Sequence, residues 1–85
     1  ASTTEAASST RLQAALSALR SGESAAGVRM LELSCEQDQE LEACLELGLA
    51  YRDGRRIKAN QERARALLEQ ACGGGLSEAC DTLGH

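Results

Sequence analysis

Four cysteines are the side chains of this sequence best equipped for chemistry. Cys35 and Cys44 lie near one another, and Cys72 and Cys80 repeat the arrangement about 36 residues later. Thiols so placed can form disulfides, hold a zinc ion, or stay reduced and buried. Zinc is the weaker reading, because structural sites favour shorter C-x2-4-C spacings and His85, the last residue, is the only histidine. Structural disulfides lead, although four cysteines leave three connectivities open. Beyond sulfur the chain is poorly equipped for catalysis. Lys58 is the only lysine, there is no Ser-x-x-Lys, and Gly73-Gly74-Gly75 lacks the Lys-Ser/Thr that follows a phosphate loop. The expectation is a non-enzyme with no cofactor and no metal.

A small body must position these sulfurs. A chain of 85 residues is one domain at most, and it buries only about 60% of its unfolded surface. It has no Trp and no Phe, and Tyr51 is its single aromatic residue. The core must therefore come from Ala, Leu, Val28, Met30, Ile57 and the cysteines, a situation in which small domains gain from covalent staples. The net charge of -4 comes without a basic patch interleaved with aromatics, which argues against nucleic acid as a partner. No apolar run approaches the roughly 20 residues that cross a bilayer. Residues 1–9 are small, polar and rich in Ser, Thr and Ala. They read as a disordered lead, with a tether below a removed lipid-anchored cysteine as the alternative.

Apolar spacing predicts five helices and no strand, an all-α chain. The first starts near Thr10, carries Leu12, Ala15, Leu16 and Leu19, and ends at Gly22. Ser24 is read as the cap of a second helix reaching Cys35, and residues 36–38 as a polar turn. The third covers about residues 39–52 and stops at Asp53-Gly54. Asn60 caps the fourth, which runs to Cys72 and the three glycines; Ser77 is read as the cap of a short fifth. On the third helix Cys44, Leu47, Gly48 and Tyr51 share a face, with Leu41, Leu45 and Leu49 in a stripe beside it. Glu42, Glu46 and Asp53 hold the narrow polar sector. A helix apolar over most of its circumference is buried between neighbours, and Gly48 invites one of them close. The Leu stripe reads first as helix packing and second as a binding groove. The charges at Arg52, Asp53, Arg55 and Arg56 read as a solvated turn or a recognition rim. The acidic set Glu32, Glu36, Glu40, Glu42 and Glu46 reads as a solvated face or one meeting a basic partner.

The text also repeats. Ala43-Cys44 with Leu47-Gly48 returns as Ala79-Cys80 with Leu83-Gly84, the mark of a helical repeat array. Ala43, Leu47, Gly48, Tyr51 and Gly54, then Ile57 and Asn60, then Ala64, Leu67, Leu68, Ala71, Cys72 and Gly75 resemble the Sel-one-like repeat family, a branch of the tetratricopeptide-like solenoids. The match runs from Ala43 to Gly84. Upstream it is loose, with Gly27 where the family has Ala and a shorter loop after Gly22. The resemblance implies a short right-handed α/α solenoid of about two repeats: residues 10–36 a degenerate capping repeat, 39–75 a full repeat, and 76–85 a truncated one.

A cysteine-rich bacterial subgroup of that family is similar in placing one cysteine at the end of a second helix and another at the start of the next repeat. It implies pairing of Cys35 with Cys44 and of Cys72 with Cys80. Each short loop so closed stabilises by about 2.6 kcal/mol through loop-closure entropy, a large share of what so small a core supplies. Oxidised cysteines imply an extracytoplasmic, oxidising compartment: periplasm, outer-membrane-tethered or secreted, with the mitochondrial intermembrane space as the alternative. The function implied is an adaptor or scaffold that binds another protein or peptide, not nucleic acid or a small-molecule substrate. Its contact residues are expected at Glu42, Leu45, Glu46, Leu49 and Arg52. A structural or assembly factor that oligomerises through its C-terminal end is the second reading. A β-lactam-binding or -hydrolysing protein, an activity linked to some cysteine-rich relatives, is the third.

Overall fold

The computed structural model describes residues 3–54 and 57–84, with side chains from residue 11 onward. Five helices follow in order: α1 (Thr3–Arg20), α2 (Ser24–Glu36), α3 (Leu41–Asp53), α4 (Gln61–Gly73) and α5 (Ser77–Leu83). No strand occurs among the described residues. Each helix packs chiefly on its neighbours in sequence, α1 on α2, α2 on α3, α3 on α4 and α4 on α5. Packing between elements therefore follows the order of the chain.

The helix ends show where local chemistry decides. Asn60 is extended (φ -149°, ψ 98°) and its side-chain oxygen accepts the Arg63 backbone N–H at 3.1 Å, the cap expected from its type. The C-terminus of α3 closes at Gly54, whose φ of 67° suits a residue without Cβ. The following loop folds back on that same helix end. Asn60 N–H donates to the Tyr51 carbonyl at 3.0 Å, and Gln61 Nε2 donates to the Arg52 carbonyl at 3.0 Å. Two of the last carbonyls of α3 are thereby satisfied by the start of α4.

Three sequence expectations need correction. Ser24 and Ser77 are not caps: each is the first helical residue, and the cap positions fall to Glu23 and Leu76, which make no side-chain capping bond. Helix α1 begins at Thr3 instead of near Thr10, so residues 3–9, read as a disordered lead, are helical. No Gly or Pro interrupts residues 3–20, and their alanines are strong helix formers. Met30 and Ile57, expected in the core, are only partly buried at its edge.

The core is aliphatic and sulfur-rich. Leu31, Leu47, Cys35 and Cys44 are its largest fully buried hydrophobic side chains, with Leu12, Ala15, Val28, Leu45, Leu67, Leu68, Ala71 and Ala79 around them. Gly48 lets α4 approach α3: a Cβ built there would lie 3.0 Å from Leu68 Cγ. Two disulfides staple the frame, Cys35 to Cys44 and Cys72 to Cys80, each with a Cα–Cα distance of 4.8 Å. That span is ordinary for a disulfide, and the pairing is the one implied by the resemblance. Each bridge joins the end of one helix to the body of the next, α2 to α3 and α4 to α5.

Candidate partner-binding face

The candidate face is the outward side of α3, and its position follows from what the helix buries. Ala43, Cys44, Leu45, Leu47 and Gly48 of α3 are buried. Neighbours on both sides, α2 and α4, and the Cys35–Cys44 bridge fix the rotation of the helix about its own axis. The residues left outward are Glu42 and Arg52, both exposed, with Glu46 and Leu49 half-buried between them. Positions 42, 46 and 49 follow one another at helical neighbour spacing, so they form one strip along the helix. Arg52 stands at the end of the strip and pairs with Asp53 through Nε to Oδ1 at 3.2 Å. Side chains of both residues of that pair are more than a third exposed, and such a pair holds little energy in water.

Leu45 departs from the expectation. It is 3% exposed and packs into the core, so it offers no surface to a partner. The Leu stripe of α3 therefore divides: Leu45 is packing, while Leu41 and Leu49 are half-buried at its ends. Arg55, Arg56 and His85, also singled out from the sequence, lie outside the described residues.

A second group joins three helices and was not foreseen from the sequence. Arg63, in the first turn of α4, stacks over the Tyr51 ring at 5.4 Å from its centroid. Its Nη2 lies 3.8 Å from a Glu32 oxygen and 3.7 Å from a Glu36 oxygen, both on α2. The Tyr51 hydroxyl donates to that Glu32 oxygen at 3.5 Å. Glu32 and Glu36 belong to the acidic set of the sequence. The signal available was their spacing of one helical turn, which marks a shared face but not the cation opposite it. A further ion pair ties α1 to the turn before α3: Arg11 Nη1 stands 3.4 Å from Asp38 Oδ2.

Beside the candidate face a shallow groove of about 160 Å³ opens between α4 and α5, floored by Ala64, Leu68 and Leu83 and rimmed by Arg52, Gln61 and Arg65. Among the described residues no three His, Cys, Asp or Glu side chains gather as a metal site, and no helix is long and apolar enough to cross a membrane. Two disulfides suggest an oxidising, non-cytoplasmic environment. Compared with known proteins, the chain matches no family model, no curated protein and no solved structure.

Proposed function

We propose that this is a non-enzymatic module that binds another protein or a peptide, built as a short α/α solenoid of the Sel-one-like, disulfide-bridged kind. It works outside the cytosol, in a periplasm or as a secreted or outer-membrane-tethered protein. One observation carries this reading: α3 is clamped between α2 and α4 and bolted to α2 by Cys35–Cys44, yet presents Glu42, Glu46, Leu49 and Arg52 outward. A strip of mixed charge with one apolar contact on an immobilised helix costs little ordering entropy when a partner docks. The repeated text from Ala43 to Gly84 supports the solenoid.

The test is selection of peptides from a displayed library on the oxidised protein, followed by affinity measurement with the Glu42→Lys/Arg52→Glu variant. Both side chains are exposed, so the variant keeps its helical circular dichroism. Binding is expected to fall at least about tenfold, the effect of roughly 1.4 kcal/mol lost at a contact. Unchanged affinity in a folded variant removes α3 as the contact face.

The assembly reading keeps one supporting observation: Leu76 and Leu83 of the α5 segment are only partly buried. Sedimentation at micromolar concentration separates the two, because a clean monomer counts against assembly through that end. Turnover of a chromogenic β-lactam would return the enzyme reading to consideration.

A further inference from the structure

The two disulfides sit in different surroundings. Cys35 and Cys44 have no solvent exposure at all. Cys72 and Cys80 are both partly exposed, Cys72 packing against the edge of the core. The elements they hold differ as well. Helix α3, tied by the buried bridge, has 13 residues and contributes five to the interior. Helix α5, tied by the partly exposed bridge, has 7 residues, and only Ala79 of it is buried. An isolated helix of that length is unstable in water. Its substantial packing partner is α4 alone, so the Cys72–Cys80 bond is a large part of what keeps it in place.

We propose that Cys72–Cys80 is a thiol-exchange site: a dithiol reductant opens it ahead of Cys35–Cys44, and its opening frees α5 while α2, α3 and α4 stay folded. The attacking group is a thiolate of the dithiol, which needs direct access to one sulfur. It bonds to the Sγ of Cys72 or Cys80, the protein S–S bond breaks, and the other cysteine leaves as a thiolate. The second thiol of the reagent, once deprotonated, attacks the mixed disulfide and releases the remaining cysteine. The reagent ends as its own disulfide. Two electrons have passed to the protein, whose two thiolates take up protons from water. The buried pair reacts only when α2 and α3 separate, which requires breaking the core. Release of α5 takes Leu83 out of the groove floor and uncovers Leu68 on α4.

The oxidised protein is titrated with dithiothreitol at neutral pH, trapped at each time point with a large excess of N-ethylmaleimide, which alkylates the free thiols at that pH, and mapped by peptide mass. An intermediate alkylated at Cys72 and Cys80 alone is expected, formed at least about tenfold faster than labelling at Cys35 and Cys44. In that intermediate, hydrogen exchange accelerates at residues 77–83 and stays slow at residues 41–53. The folded Cys72→Ser/Cys80→Ser variant reproduces the same exchange pattern without reductant. Labelling of all four cysteines together, labelling first at Cys35 and Cys44, or unchanged exchange over residues 77–83 overturns the proposal.

Discussion

Gly48 of α3 and Leu68 of α4 meet so closely that a Cβ on Gly48 would stand 3.0 Å from Leu68 Cγ and 3.3 Å from the Ala64 carbonyl oxygen. The first neighbour is a side chain held in the core and the second is backbone, so neither yields freely. Gly48→Val is expected to destabilise by about 2–3 kcal/mol through overpacking. Leu68→Ala opens the space from the other side. In urea unfolding, the double variant is expected to lose less than the two single losses combined. Strict additivity would mean the two residues do not share the contact.

The buried bridge is expected to contribute more to stability than the partly exposed one. Replacing Cys35 and Cys44 together by alanine removes about 2.6 kcal/mol of loop-closure entropy and leaves a small void between α2 and α3. The same pair of changes at Cys72 and Cys80 is expected to cost no more than the loop term, because both residues are partly exposed. Thermal unfolding of the two double variants is therefore expected to rank Cys35/Cys44 as the more damaging loss. The reverse order would place the core elsewhere.

The Arg63 cluster gives a salt-dependent prediction. Its side chain is 41% exposed, and the Glu32 and Glu36 side chains facing it are 37% and 63% exposed. Screening is consequently strong, and Arg63→Ala is expected to cost about 1 kcal/mol or less at low salt. Most of the ion-pair share disappears at molar salt, while the packing over the Tyr51 ring remains. A loss independent of salt would assign the whole effect to the ring contact.

Gln39 stands just before α3 with a φ of 54°, the one positive value at a non-glycine residue among those described. Left-handed backbone costs an ordinary residue about 1 kcal/mol. Gln39→Gly is expected to stabilise by roughly 0.5–1 kcal/mol despite the added freedom of the unfolded chain. Gln39→Val, branched at Cβ, is expected to destabilise. Denaturant midpoints of the two variants should move in opposite directions.

What the sequence revealed and what it hid divide along a physical line. Asn60 was legible because a cap is settled within three residues of chain, and Gly54 because a left-handed helix end selects glycine. Gly48 was legible because a bare position in an apolar helix has few other uses. Ser24 and Ser77 misled for the same local reason: a serine at a helix start fits the cap and the first turn alike. The α1 start was missed because Ser, Thr and Ala carry no apolar rhythm to announce a helix. Leu45 and Leu49 look equivalent on a wheel, and only packing against neighbouring helices buries one and half-exposes the other. The meeting of Arg63, Tyr51, Glu32 and Glu36 depends on three helices at once, which no periodicity within a single helix encodes.

The sulfur links also bear on how this chain can be handled by other machines. Each closes a loop, spanning 9 positions in one case and 8 in the other. An unfolding motor or secretion pore that draws polypeptide through as one extended thread would meet a knot-like bulk at each loop. Once oxidised, the protein resists such threading even after its helices have melted, and passage through a narrow channel must precede sealing or await reduction.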